Sequence, residues 1–204
     1  VTEETTVDKR DLRTNIIATA TRLFAERGLN GVSVRELSAA AGVSISMISY
    51  YFEGKDGLYA SVLQEQFACF DFIRTIKEKQ AQPLDKIEEY IRWSIQRNRD
   101  YPFLLRYYTS ELTNPTRHFS AIVQPALENA LHILVEIIQD GIAMKVFRSE
   151  LNAEDTALAM AGMVNYYFLS TLATERFINH SPERDEELIQ HYMDIFTKGL
   201  VTCR

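Results

Sequence analysis

The sequence is poor in the groups that metal enzymes and membrane proteins are built from. Two cysteines in 204 residues, Cys69 and Cys203, stand far apart, with no second cysteine or histidine at zinc-ligand spacing. This predicts reduced, incidental thiols. The four histidines, His118, His132, His180 and His191, form no HxxH or HExxH pair, so no metal site and no cofactor are expected. The most apolar stretch read from the sequence, Ala157 to Ala173, is interrupted by Asn165, Ser170 and tyrosines and falls short of the ~20 residues that a bilayer span needs. The N-terminus, Val1 to Arg13, mixes acids, bases and hydroxyl residues without an apolar core, unlike a secretory signal. The expectation is a cytoplasmic protein with no membrane partner.

Glycine and proline are scarce as well, eight and five, and they fall between long segments with apolar residues at helical spacing. No run alternates with period two for long, so the reading is all-α. The composition, 46% hydrophobic and 25% charged, suits a folded chain of one large or two modest domains. The net charge of -6 argues against a non-specific nucleic-acid coat, but its distribution is uneven. Lys9 to Ala60 carries seven Lys/Arg against five Asp/Glu, whereas Ser61 to Arg204 carries fifteen against twenty. Only the N-terminal part has the sign suited to approaching phosphate.

That part divides into three short helices. Ile16, Ile17, Ala20, Leu23 and Phe24 lie on one stripe that stops at Gly28. Ser33 followed by Glu36 is the capping-box pattern, in which each side chain satisfies a backbone amide of the other, and it opens a helix through Leu37 to Ala41. Gly42 breaks this helix. Val43 and Ser44 lead into a third, with Ser44 available to cap its first turn, ending at Phe52 and Gly54. Two helices joined by a glycine turn and packed on a preceding helix can present a helix end to the major groove. Ala39, Ala40 and Ala41 permit the close crossing that the turn requires; an ordinary helical hairpin satisfies the same spacing.

The residues Ile16-Ile17, Ala20, Leu23-Phe24, Gly28, Ser33-Val34, Leu37, Ala41-Gly42-Val43-Ser44, Phe52, Lys55 and Leu58 resemble, in type and order, the N-terminal pattern of the TetR family of regulators. The resemblance covers about fifty residues. It implies that the third helix is the recognition helix, with Ser44 at its start and Ile45 to Tyr51 toward double-stranded operator DNA. Ser46, Met47 and Ser49 are then candidates for base edges, hydroxyls meeting several bases and the thioether a thymine methyl. Tyr50 stands where the family often has an aromatic on DNA, Arg35 and Lys55 where it holds the backbone. The family often has tyrosine at the place of Ser49 and histidine at the place of Tyr51, so the base contacts differ here. Ile48 and Phe52 are core positions, and packing against the second helix is an alternative role for Met47.

The expected division is residues 1-54 for DNA binding and 55-204 for effector binding and dimerisation. A long helix is expected from Lys55 through Leu58, Val62, Phe67 and Phe70 toward Gln80, then helices at about Asp85 to Arg99, Pro102 to Leu112, Thr116 to Lys145 with a kink or break near Pro125, Ala153 to Asn179, and Pro182 to Thr202. Specific binding by so small a reader requires two copies on half-sites about 34 Å apart, hence a homodimer. Ala157, Ala161, Val164 and Phe168, with Leu188, Tyr192, Ile195 and Gly199, form the stripes expected to build a four-helix interface, which the family resemblance also implies. A small-molecule effector is expected among aromatics and embedded polar groups: Phe67, Phe70, Trp93, Arg97, Phe103, Arg106, Tyr107, Met163, Asn165 and Tyr166. Rings at helical spacing also simply fill cores. The family logic is a repressor that releases a palindrome when its effector binds. Alternatives are control by a protein or nucleotide partner, or a helical carrier or enzyme; no nucleophile elbow, phosphate loop or clustered acid-base set supports the last.

Overall fold

A computed structural model describes residues 9–201, with side chains from Arg10 onward. Most of the segment Val1 to Arg13 that was compared with a signal sequence, the expected helix end at Thr202, and Cys203 lie outside the described residues. The fold is all-α. The only β pairing among the described residues is an isolated antiparallel bridge between Phe147 and Val201.

The first compact unit comprises residues up to Phe67 together with Arg106–Val123. Its helix α1 (Lys9–Arg27) buries Ile16, Ile17, Ala20, Leu23 and Phe24. Helix α2 (Val34–Ala41) opens with the expected capping box: the Glu36 amide donates to Ser33 Oγ at 3.2 Å and the Ser33 amide to Glu36 Oε2 at 2.8 Å. Gly42 ends it with φ +67°, a left-handed conformation that costs glycine nothing and an L side chain about 1 kcal/mol. Helix α3 (Ile45–Phe52) follows. Ser44 does not cap it as expected; its hydroxyl pairs with Ser46 Oγ at 2.8 Å, a local bond that competes with the capping geometry. Glu53 then turns the chain with φ +58° into α4 (Lys55–Phe67), which packs on α1 and α3. The unit therefore extends past the boundary expected after residue 54.

The single helix expected from Lys55 to Gln80 is broken. After Phe67 the chain tightens into a 3₁₀ turn (Ala68–Asp71) and restarts as α5 (Phe72–Glu78). The tighter winding brings residues three apart onto one side, so Phe70, Ile73 and Ile76 are all buried.

The second compact unit comprises Ala68–Leu105 and Gln124–Arg204. It contains α5, α6 (Pro83–Asp100), α8 (Gln124–Ala143), α9 (Ala153–Leu169), the short α10 (Thr171–Thr174) and α11 (Asp185–Leu200), whereas α7 (Leu104–Thr113) crosses from one unit to the other. The chain from Phe119 to Ala143, a π-helical turn leading into α8, is long and apolar enough to cross a bilayer by length and composition, contrary to the sequence expectation. In the fold one side of it is buried, with Ile133, Leu134, Ile137 and Ile138 inside, and α8 packs on α5, α6 and α9. The helix expected over Ala153 to Asn179 ends at Leu169, and α10 follows it. At Gly141 a Cβ would sit 2.2 Å from the Phe147 ring, so the missing side chain is what admits this buried phenylalanine.

Candidate nucleic-acid interface

Helix α3 has one inward and one outward side. Ile48 and Phe52, four apart, are buried, while Ile45, Ser46, Ser49 and Tyr50 are exposed, Tyr50 to 77%. A tyrosine so exposed gains nothing from the protein core, although its ring meets Tyr51 edge-on at 5.1 Å. Met47 and Tyr51 are half-buried, and Arg35 and Ser44 are exposed. The helix contains no charged residue.

Three contacts hold α3 and its neighbours in place. Asn15 Nδ2 of α1 donates to the Ala41 carbonyl at 3.1 Å, using an acceptor that the end of α2 leaves open. The Arg13 guanidinium lies 5.3 Å from the centre of the Phe52 ring. Lys55 Nζ donates to the carbonyls of Leu29 and Val32, both at 2.9 Å. The ammonium expected at the DNA backbone here closes the α1–α2 connection, where two part-buried carbonyls need a donor. No sequence signal separates these two uses of a lysine.

The expected effector residues do not form one group. Phe67, Arg106 and Tyr107 belong to the first unit. Arg106 is exposed, and Tyr107 is a core residue whose hydroxyl donates to the Thr21 carbonyl at 2.6 Å. Burial pushes that phenol well above its ordinary pKa. In the second unit Phe70, Trp93, Arg97 and Asn165 do come together. Arg97, only 5% exposed, lies 4.7 Å from the Phe70 ring and 4.8 Å from the Trp93 ring and donates to Asn165 Oδ1 at 2.9 Å. Ser94 Oγ and Asn98 Oδ1, on the same helix and likewise buried, make no hydrogen bond. Trp93 also lines a cleft of about 460 Å³ with Phe72, Glu89, Arg92, Gln96 and Asp185, in which the Phe72 and Trp93 rings stack at 6.1 Å. Phe103 and Met163 are half-buried, and Tyr166 is exposed rather than embedded. Nearby, burial raises the Cys69 thiol to about 11, so it stays protonated at neutral pH.

The stripe expected to face a partner is partly internal. Ala157 and Val164 are buried in the core, as are Leu188 and Tyr192, whose hydroxyl donates to the Met163 carbonyl at 3.2 Å. Phe168 is half-buried and lies 4.9 Å from the Arg99 guanidinium, which is paired with Asp185 at 2.6 Å. Ala161 is half-buried too. The open side of α9 carries Leu158, Gly162, Tyr166 and Leu169, and on α11 Ile195 and Gly199 are exposed. Helix α9 is apolar nearly all round, so periodicity could not say which stripe lies inside.

This arrangement, two short helices joined by a glycine turn and packed on a preceding helix, is a helix-turn-helix. Residues 16–62 match the profile of the bacterial regulatory proteins of the tetR family. The HTH-type transcriptional regulator RutR of Escherichia coli (strain K12) is 33% identical over 98 residues, 48% of this chain and 46% of RutR. The HTH-type transcriptional repressor NicS of Pseudomonas putida is 25% identical over 158 residues, 76% of this chain and 74% of NicS. The fold is shared with the ketosteroid transcriptional regulator KstR2 of Mycobacterium tuberculosis, with a TM-score of 0.76, 21% identity and 97% of each chain covered. A putative fatty acid metabolism regulator of Clostridium perfringens superposes with a TM-score of 0.78 at 17% identity, covering 93% of this chain and all of that one. The similarity to the tetR family of bacterial regulatory proteins is thus carried by residues 16–62, and the likeness to these solved regulators shows the fold. The match to RutR spans about half the length of each protein.

Proposed function

We propose that the protein is a homodimeric repressor that reads a palindromic DNA operator with α3 and releases it when a small, largely apolar or aromatic effector binds the second unit. The observation that carries the DNA reading is the division of α3, with Ile48 and Phe52 anchoring it and Ile45, Ser46, Ser49 and Tyr50 turned to solvent. Met47, Tyr51 and Ser44 border this surface, and Arg35 supplies a cation for phosphate. Dimerisation uses the exposed side of α9 with α11, because one copy makes too few base contacts for specificity.

The effector reading rests on Arg97 and Asn165 among Phe70 and Trp93, with two buried polar atoms on the same helix that lack protein partners. A buried polar group without a partner costs about 1–3 kcal/mol, which a ligand or water can offset. Selection of duplexes from a randomised pool should return an inverted repeat, and a thermal-shift screen of aromatic and aliphatic acids should return a compound that raises the melting temperature and releases that duplex. Failure to enrich any duplex would overturn the DNA reading; enrichment without any stabilising compound would favour a protein or nucleotide partner instead.

A further inference from the structure

The first turn of α4 is gripped from a place distant in sequence. Glu111 of α7 is completely buried, and every group hydrogen-bonded to it is a donor: Tyr59 Oη of α4 at 2.8 Å, and the amide and hydroxyl of Thr116, both at 3.1 Å. These bonds fold the segment after α7 back onto α4. Thr116 Oγ1 in turn accepts from the His118 amide at 3.3 Å. His118 Nε2 then meets Asp56 Oδ2 at 2.8 Å, and the Arg117 guanidinium pairs with the same carboxylate. Burial raises the Asp56 carboxyl, but hydrogen bonds from Arg117 and His118 outweigh it, leaving the group below the usual carboxylate range. The π-helical turn Phe119–Val123 packs on α4 directly beyond these residues.

Asp56 stands four residues after Phe52, the last residue of α3, across the turn at Glu53 and Gly54, and α4 packs directly on α3. A displacement of the first turn of α4 is therefore passed to α3. We propose that Glu111, Thr116, Arg117, His118 and Asp56 form a latch that positions the recognition helix, so that the segment after α7 sets how well α3 reads DNA without touching it. The latch rests on the DNA reading above, and Glu111 and Thr116 are positioning residues.

Electrostatics gives the test a sign. Removing a carboxylate beside a DNA-facing helix should strengthen attraction to phosphate, whereas opening a latch should weaken binding. Affinity for the duplex selected by the wild-type protein should fall about tenfold in Asp56→Asn and in Thr116→Val, a variant that changes no charge. The melting temperature serves as the control for folding and should move by only a few degrees. Combining Asp56→Asn with Arg117→Gln and His118→Gln should weaken binding no further than Asp56→Asn alone. Equal or tighter binding by Asp56→Asn with unchanged binding by Thr116→Val would overturn the latch, as would multiplicative losses in the combined variant. If the wild-type protein enriches no duplex, the DNA reading falls and the latch with it; enrichment followed by normal binding of both variants removes the latch alone.

Discussion

Lys55 Nζ lies 2.9 Å from the carbonyl oxygen of Val32, so the residue that opens α4 is tied to the connection that precedes α2. A second bond, to the Leu29 carbonyl, makes the ammonium a bridge between segments more than twenty residues apart. Lys55→Met keeps the length of the side chain and removes both bonds. It should destabilise the protein by about 2 kcal/mol, since hydrogen bonds to charged groups are each worth about 1.5–3 kcal/mol and part of this is recovered from water. Urea unfolding of the two proteins measures it. An unchanged midpoint accompanied by weaker DNA binding would return Lys55 to a phosphate contact.

Sequence preference and salt sensitivity should be separable. Helix α3 carries no charge, so substitutions at Ser46, Ser49 or Tyr50 remove hydroxyl and apolar contacts without removing a cation. Tyr50→Ala should weaken binding to the selected duplex by about tenfold or more, within the ~1–3 kcal/mol that a good base contact provides, and leave the slope of log K against log salt unchanged. Arg35→Ala should do the reverse, reducing that slope by about one while preserving the order of preferred sequences. The measurement is a salt titration of binding with matched and mismatched duplexes. A slope change in Tyr50→Ala would mean that the tyrosine holds phosphate.

The capping box at Ser33 gives a pH-dependent contribution. The Ser33 amide first, then its hydroxyl and Arg27, lower the Glu36 carboxyl from 4.5 to about 2. A carboxyl depressed on folding stabilises the folded state above its unfolded pKa, and this contribution is lost as pH falls through the folded value. It is thus complete at neutral pH and fades between about 4.5 and 2. Ser33→Ala should raise the Glu36 titration midpoint and cost about 1 kcal/mol at pH 7 through the lost cap. Carbon-detected titration of the Glu36 carboxyl, with thermal unfolding at pH 7, tests both; an unmoved midpoint would show that the backbone amide of residue 33 and Arg27 hold the charge without the hydroxyl.

Association should depend on the outer side of α9. Leu158 and Tyr166 are 61% and 69% exposed, so charges there need not disturb the core. Leu158→Glu combined with Tyr166→Glu should produce monomers by sedimentation with an unchanged helical circular dichroism signal, and should abolish tight binding to a two-half-site duplex. A variant that remains dimeric would place the interface elsewhere.

Local chemistry was the legible part of the chain. The Ser33–Glu36 box and the Gly42 turn depend on residues within a few positions of one another, and the structure reproduces both. Ser44 shows the limit even at short range, since its hydroxyl had Ser46 as a second available partner. The break after Phe67 carried no proline or glycine to announce it; it follows from the burial of Phe70, Ile73 and Ile76 together. Periodicity found the apolar stripes of α9 and α11 but not which of them face inward, because Ala157 and Leu158 are both apolar and only the fold separates them, burying the first and leaving the second 61% exposed. Glu111 gave no sign at all. A single glutamate in a helix looks solvated until Tyr59 and Thr116, 52 and five residues away, are seen to converge on it.

The left-handed turn at Glu53 constrains how this protein can diversify. Glycine, asparagine or aspartate at that position would keep the turn and relax it, whereas valine, isoleucine or threonine would collide with their own backbone. On the proposed DNA reading, changes at Ser46, Ser49 and Tyr50 would select new operators, while the geometry that delivers those side chains would pass on nearly unchanged. Descendants of such a reader would alter what they read far more easily than the angle from which they read it.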